Sequence, residues 1–188
     1  MKLSVVGLMI FKNEVILVQR GSQVKRHKGE IALPGGAVEP AETELEALRR
    51  EILEEIGVDI YGNNPIFFAE TCTSNSRFRI RAYAIFFDKS PELKPDGFEV
   101  VKVHRVPLNE VMTAPVRWEN LKGHRVPVIR FSTCTVWGAT GRLLISFREW
   151  YSGGRIQIQA GKTIATESQR DGSAEGRFES KEGRDIEG

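Results

Sequence analysis

The sequence predicts a mixed α/β (α+β) fold, in which a mixed β-sheet is flanked by helices. Three observations support this class: several short runs of β-branched and aromatic residues, one strongly amphipathic helical stretch, and clusters of turn residues between them. A chain of 188 residues is long enough to bury the core of one ordinary domain. We therefore expect a folded domain over residues 1–151 and a polar, disordered tail over residues 152–188.

The elements are predicted from their periodicity and from the turns that separate them. The first two strands are expected to form a hairpin, because a polar turn at 12–14 lies between them. Residues 34–36, Pro-Gly-Gly, predict a turn. Strands are predicted at 3–11, 15–19, 66–71, 78–87 and 100–106, and helices at 43–56, 108–112 and 136–150.

Composition excludes several classes of protein. The net charge of +2 lacks the strong basic field of a duplex-binding protein, so nucleic acid is an unlikely partner. The two cysteines, Cys72 and Cys134, form no CxxC motif that would indicate zinc. No apolar run approaches the roughly 20 residues that cross a bilayer, and the first residues lack a signal-peptide layout. We therefore expect a cytoplasmic protein without a membrane partner.

The most informative element is the helix predicted over residues 43–56. Thr43 and Glu46 have the spacing of a capping box, so the helix should begin there. Gly57 is a candidate C-cap that would end it. Apolar residues at spacings of three and four form one stripe that should face the core, and they are Leu45, Leu48, Ile52 and Ile56.

A second stripe on this helix is acidic. Glu51, Glu54 and Glu55 stand at positions i, i+3 and i+4 and so lie on one side. We expect Arg49 and Arg50 to point away from this edge, which leaves the carboxylates uncompensated. Such a group suits Mg²⁺ or Mn²⁺, which take oxygen ligands and can activate water beside a phosphate. The alternative, which three glutamates alone would favour, is a solvated acidic face.

The wider spacing resembles the Nudix box. That pattern is a Gly, five residues, a Glu, seven residues, Arg-Glu, an aliphatic residue, one residue, Glu-Glu, one residue, a Gly and an aliphatic residue. Its defined positions here are Gly36, Glu42, Arg50, Glu51, Ile52, Glu54, Glu55, Gly57 and Val58. The resemblance implies an α/β/α sandwich and a hydrolase of phosphoric anhydrides, which cleaves a nucleoside diphosphate linked to another group X.

The resemblance also implies roles for individual residues. The implied ligands of Mg²⁺ or Mn²⁺ are the carbonyl of Gly35 and the carboxylates of Glu51, Glu54 and Glu55. Glu51 would also help to orient or deprotonate the attacking water. Glu42 and Arg50 would form an ion pair that holds the preceding loop on the helix. Family members recruit a further Glu from a later loop, for which Glu99 is the candidate; its alternative is an ordinary solvated loop residue.

Residues outside the box are similar to coenzyme A pyrophosphatases. The similar segments are residues 16–36, which precede and enter the box, and residues 136–144, which look like a C-terminal helix of that subfamily. Cations near the cleft would bind the phosphates of coenzyme A. The candidates are Arg20, Lys25, Arg26 and Lys28. Their alternative is a solvated basic loop, and His27 lacks the partnered motif of a metal ligand.

Three functions remain open from the sequence. The first is cleavage of coenzyme A or a derivative into adenosine 3′,5′-bisphosphate and 4′-phosphopantetheine. The second is hydrolysis of ADP-ribose, a dinucleoside polyphosphate or an oxidised nucleotide. The third is a non-catalytic domain that senses a nucleotide, which the intact set of box carboxylates disfavours. The expected partner is a small nucleotide substrate, and a homodimer is compatible with the sequence.

Overall fold

The computed structural model describes residues 2–24, 27–73, 78–121, 123–153, 156–159 and 162–165. Its first elements are β1 (Lys2–Phe11), β2 (Glu14–Arg20), β3 (Ile31–Ala32), β4 (Gly35–Ala37), α1 (Glu44–Ile56), β5 (Ile66–Cys72) and β6 (Phe78–Phe87). The remaining elements are β7 (Val100–Pro107), α2 (Leu108–Thr113), β8 (Val116–Leu121), β9 (His124–Arg130), β10 (Thr135–Trp137), α3 (Gly138–Ser152), β11 (Ile156–Gln159) and β12 (Lys162–Ala165).

The main sheet is mixed, as the sequence predicts. Strand β1 pairs in parallel with β6 and antiparallel with β2 and β4. Strand β7 pairs with β2, and β5 pairs with β6, both antiparallel. A second sheet has the order β10-β9-β8. The predicted hairpin of β1 and β2 is confirmed.

Helices cover the two faces of the main sheet. Side chains alternate along β1, so that Val5 and Met9 pack with α1, whereas Leu8 and Ile10 pack in the cluster that contains α3. All four side chains are almost completely buried. The result is a layer of sheet between layers of helix, which confirms the predicted sandwich.

Helix α1 has the predicted ends. The backbone N–H of Glu46 donates to Oγ1 of Thr43 at 3.3 Å, and the N–H of Thr43 donates to the carboxylate of Glu46 at 2.7 Å. Gly57 ends the helix at φ 70°. The prediction that Leu45 faces the core was wrong, because its side chain is 46% exposed. The buried face of α1 instead includes Glu55, which contacts β4, and consists of Ala47, Leu48, Ile52, Glu55 and Ile56.

The predicted turn at residues 34–36 was also wrong in part. Gly35 and Gly36 lie in β4 and pair with Val6 and Val5 of β1. Gly35 has φ 138°, and a Cβ there would lie 2.2 Å from the carbonyl oxygen of Val5. Gly35 therefore allows a conformation and a close approach to β1 that a residue with a Cβ could not adopt.

The C-terminal part differs from the prediction in two ways. Strands β8 and β9 were not predicted, and the helix predicted over 136–150 begins at Gly138, because Val136 and Trp137 pair with β9 instead. Within the predicted tail, β11 and β12 form an antiparallel pair. Residues 166–188 lie outside the described residues, so the domain boundary stays a prediction. No helix in the described ranges has the length and apolarity needed to cross a membrane.

Candidate active site

The candidate site lies where the second half of α1 contacts strand β4. The backbone N–H of Gly35 donates to Oε2 of Glu55 at 2.9 Å. A Cβ on Gly36 would lie 2.3 Å from the carboxyl carbon of Glu51, which is too short for two carbon atoms that are not bonded to each other. The acidic edge of the helix is therefore held directly against a glycine backbone, and the glycines make room for its carboxylates.

Glu55 is a buried carboxyl group with an unusual proton affinity. Its side chain is 3% exposed, and its Oε1 lies 3.5 Å from Nη1 of Arg20. Burial raises its pKa to about 7; the Gly35 N–H and Arg20 oppose that shift, and the charges of Glu51 and Glu99 add to it. Glu55 therefore changes its charge near neutral pH, and a further cation beside it would favour the ionised form.

Glu51 shares this environment. Burial raises the pKa of its carboxyl, Arg50 lowers it, and the negative charges of Glu54 and Glu99 raise it further. Two other carboxylates, Glu54 and Glu99, thus act on Glu51 or Glu55, which also repel each other, and this repulsion indicates a place that attracts a cation.

Arg50 connects several acidic residues of the site. Its guanidinium donates to Glu42 at 2.7 and 3.1 Å, which confirms the predicted ion pair between loop and helix. It also donates to Glu51 at 2.9 Å, to Glu54 at 3.4 Å and to the carbonyl of Ala37 at 3.2 Å. The expectation that Arg50 points away from the acidic edge was therefore wrong. Its long side chain lies across that edge because its hydrogen-bond acceptors are there. They are Glu42 and Ala37 in the loop, and Glu51 and Glu54 in the helix.

Arg49 does point away from the acidic edge. Its guanidinium donates two hydrogen bonds of 2.7 Å to the carboxylate of Asp59 and lies 4.9 Å from the ring centre of Tyr61. The hydrogen bonds from Arg49 lower the pKa of Asp59 to about 2. The Arg49–Asp59 ion pair therefore connects α1 to the segment that follows it, and it involves none of the box carboxylates.

The structure brings Glu99 to the box glutamates. Its carbonyl accepts a hydrogen bond of 2.9 Å from the N–H of Gly21, and its own N–H donates to Asp96 at 3.0 Å. The N–H of Asp96 donates in turn to the carbonyl of Glu55 at 3.0 Å. The exposed loop is thus tied both to β2 and to α1. Asp96 was not singled out from the sequence, although a Pro-Asp-Gly run at 95–97 signals an organised turn.

The basic candidates have different positions. Arg20 ends β2 at an irregularity in the pairing with β7 and reaches Glu55. Lys28 is exposed in the turn that follows, and Nδ1 of His27 lies 2.8 Å from the carboxylate of Glu30. Lys25 and Arg26 lie outside the described residues. Of the described cations proposed for substrate, Arg20 is the one that contacts a box carboxylate.

The site suits a divalent ion in its chemistry. Carboxylate and backbone oxygens are the ligands that Mg²⁺ and Mn²⁺ prefer, and a cation would stabilise the ionised forms of Glu51 and Glu55, whose pKa values are raised first by burial and then by neighbouring carboxylates. Yet in the ranges that the structure describes, no three His, Cys, Asp or Glu side chains are arranged to share one ion. Arg50 forms an ion pair with Glu51, and Arg20 forms one with Glu55. The side chain of Glu54 is 62% exposed. A divalent ion at these carboxylates would therefore compete with the charges of Arg20 and Arg50.

Comparison with known proteins gives the same family as the box. The NUDIX domain matches residues 1–126 of the chain. An uncharacterized Nudix hydrolase NudL of Pectobacterium atrosepticum is 24% identical over 137 residues, which are 69% of this chain and 71% of that protein. Nudix hydrolase 3 of Caenorhabditis elegans is 42% identical over 48 residues, but the match covers 26% of this chain and only 20% of that protein.

A solved structure supports the fold. The crystal structure of a MutT/nudix family protein from Enterococcus faecalis has a TM-score of 0.56 and 18% identity, and the match covers 77% of this chain and 60% of that one. At that identity the likeness concerns the fold alone. The domain match, which spans the box and most of the main sheet, shows that the chain belongs to the Nudix hydrolase family, whose members act on phosphoric anhydrides of small nucleotides and generally use divalent metal ions.

Proposed function

We propose that this protein hydrolyses the diphosphate of coenzyme A or a derivative, giving adenosine 3′,5′-bisphosphate and 4′-phosphopantetheine. The observation that carries the proposal is the position of Arg20 beside Glu55, at 3.5 Å. A cation next to the acidic residues suits a substrate whose diphosphate must lie close to them. The similarity of residues 16–36 to coenzyme A pyrophosphatases favours coenzyme A as the source of that diphosphate.

Oxygen atoms of the box would hold the ion, Mg²⁺ or Mn²⁺. The proposed ligands are the carboxylates of Glu51, Glu54 and Glu55 and the carbonyl of Gly35. When bound, such an ion polarises phosphoryl oxygens and lowers the pKa of a coordinated water. The burial of Glu55 beside the Gly35 N–H supports its place in this set, because its orientation is already determined before an ion arrives.

Proton transfer is assigned to the glutamates that flank the reacting phosphate. Glu99 is exposed and acts electrostatically on both Glu51 and Glu55, which suits a base that receives a proton from water. Glu51 would help to orient or deprotonate the same water. The oxygen of that water attacks one phosphorus atom, the bridging P–O bond breaks, and the leaving phosphate takes the bond's electron pair.

Cations of the β2–β3 segment would bind and orient the substrate. The proposed residues are Arg20, Lys25, Arg26 and Lys28. A bound orientation matters because in-line attack requires the water, the phosphorus and the leaving oxygen to be aligned. We further propose a cytoplasmic protein that acts on a small molecule rather than on nucleic acid or a membrane. Light scattering after size-exclusion chromatography would show whether it forms a homodimer.

The test is incubation of the purified protein with coenzyme A and either Mg²⁺ or Mn²⁺. Mass spectrometry should detect the two named products, and their formation should stop in Glu55→Gln. ADP-ribose and a dinucleoside polyphosphate belong in the same panel. Faster hydrolysis of either one, with coenzyme A left intact, would refute the coenzyme A proposal. Thermal stabilisation by a nucleotide that is never hydrolysed would refute the enzymatic proposal and favour a sensing domain.

A further inference from the structure

We propose that Arg20 is an internal cation that neutralises Glu55 in the metal-free protein and moves to the substrate diphosphate when a divalent ion binds. The inference rests on the proposed function, because it takes Glu55 as a ligand of that ion. It goes further in giving Arg20 two successive partners. Arg20 would thereby couple the occupation of the metal site to the binding of phosphate.

The backbone around Arg20 is held in place from several directions. Pairing of β2 with β7 is regular as far as Gln19, which pairs with Lys102, and then shifts so that Arg20 pairs with Val100. The shift skips Val101, so the extra residue lies in β7, opposite the end of β2. The N–H of Arg20 donates to the carbonyl of Glu30 at 3.0 Å, and its carbonyl accepts from Gly29 at 3.0 Å. Movement at this position is thus a movement of the side chain.

The contact between Arg20 and Glu55 is incomplete. Its closest atoms are 3.5 Å apart, beyond the 2.7–2.9 Å typical of a charge-assisted hydrogen bond. The buried Nε of Arg20 has no hydrogen-bond partner among the described residues. By comparison, Arg50 donates to Glu42 at 2.7 Å and to Glu51 at 2.9 Å. Arg50 is therefore bound firmly, whereas Arg20 retains donors for another anion.

Charge balance explains why Arg20 would exchange partners. Glu55 is 3% exposed, and a buried carboxylate left without a cation is strongly unfavourable. Arg20 meets that requirement in the metal-free protein. A divalent ion at Glu55 would meet it with twice the charge and would repel the guanidinium only a few ångströms away. The side chain of Arg20 is 24% exposed, so it has a route toward solvent and an incoming diphosphate.

The exchange predicts a reciprocal effect on binding. If the ion frees Arg20 for phosphate, the ion raises the affinity for diphosphate, and diphosphate raises the affinity for the ion by the same factor. Removing Arg20 should have opposite effects on the two ligands. The ion would bind the free protein more tightly because it no longer competes with a guanidinium, whereas the diphosphate would bind less tightly.

The first experiment measures the binding of Mn²⁺ alone by electron paramagnetic resonance. Arg20→Gln should bind Mn²⁺ about tenfold more tightly than the wild type, which corresponds to roughly 1.4 kcal/mol. Arg49→Gln is the matched control, since it removes the same charge from a pair that does not involve the box. Arg20→Lys should return the affinity toward the wild-type value. Equal or weaker binding by Arg20→Gln, or an equal gain in Arg49→Gln, would overturn the exchange.

A second measurement separates exchange from a structural role of Arg20. Thermal unfolding of Arg20→Gln at pH 8 should occur below the wild-type temperature without metal, and this deficit should disappear with saturating Mn²⁺. A deficit that persists with Mn²⁺ would mean that Arg20 is structural and would overturn the exchange. If the wild type itself binds no Mn²⁺, the proposed function fails as well. Hydrolysis by a wild type whose Arg20 does not compete with Mn²⁺ would refute this inference alone.

The wild-type protein offers a test that does not depend on a folded variant. The Nε–Hε signals of arginine can be followed by NMR while Mg²⁺ is added. The signal of Arg20 should shift as the side chain leaves Glu55, and that of Arg49 should stay in place. A stationary Arg20 signal at saturating Mg²⁺ would overturn the exchange.

Discussion

Replacement of Glu55 by glutamine should stabilise the metal-free protein at pH 8 and abolish its metal-dependent activity. Burial raises the pKa of Glu55 from 4.5 to about 7, so the folded state binds its proton more tightly than the unfolded state does. The stability associated with that proton is complete below pH 4.5 and is lost as the pH rises through about 7. At about 1.4 kcal/mol per pH unit, the loss approaches roughly 3 kcal/mol at pH 8.

Glu55→Gln should regain part of the folding stability that the wild type loses between pH 4.5 and pH 8. Glutamine keeps an oxygen that can accept from the Gly35 N–H, and it carries no charge that must be desolvated. Arg20 loses its ionic partner, however, and this opposes the gain, so we expect a net increase of roughly 1–2 kcal/mol. The same substitution removes a charge from the proposed metal site. Hydrolysis should then fall by more than about 100-fold, the upper range for loss of an indirect metal contact.

Urea unfolding with EDTA, at pH 5 and at pH 8, measures the stability difference. The wild type should lose stability between these pH values, and Glu55→Gln should lose less. Glu54→Gln is the control, because Glu54 is 62% exposed and its neutralisation should leave the metal-free stability nearly unchanged. A Glu55→Gln protein less stable than the wild type at pH 8 would refute the desolvation argument. Wild-type turnover by that variant would refute the assignment of Glu55 as a ligand.

Three further substitutions test other parts of the site and its support. Gly36→Ala should lower activity strongly while far-UV circular dichroism stays unchanged, because its Cβ would displace the carboxylate of Glu51; an active variant would contradict this. Asp96→Ala should lower kcat more than it raises KM, since it releases the backbone of Glu99; steady-state kinetics would show the reverse if the loop only binds substrate. Asp59→Asn should be less stable than the wild type at pH 6. This difference should vanish as the pH falls from about 4 through about 2, because the carboxyl of the folded wild type is then protonated. A difference in unfolding free energy that does not change with pH would contradict the ion pair.

The parts of the fold that follow from local periodicity were predictable. The ends of α1 depend on Thr43, Glu46 and Gly57, whose hydrogen bonds are formed within a few residues. The strands β1, β2, β5, β6 and β7 carry β-branched and aromatic residues in continuous or alternating patterns that are typical of a sheet. These signals do not require knowledge of distant contacts, and the structure confirms them.

The missed elements depend on pairing between distant segments. Strand β8 carries alternating polar and apolar residues with an exposed Trp118, and β9 contains Pro127, which usually argues against a strand. Val136 and Trp137 continue the apolar pattern of α3, but pairing with β9 makes them a strand. Strand β4 was read as a turn because Gly35 and Gly36 have no side chain whose periodicity could be recognised.

The order of residues alone determined that Glu51, Glu54 and Glu55 share one side of a helix, because the geometry of a helix depends only on spacing. The tertiary structure decided how these equivalent residues differ. Contact with β4 buries Glu55 and leaves Glu54 in solvent, and the end of β2 places Arg20 beside the buried carboxylate. The burial of Glu55 and its pairing with Arg20 arise from segments far apart in the chain, and spacing along one helix cannot reveal them.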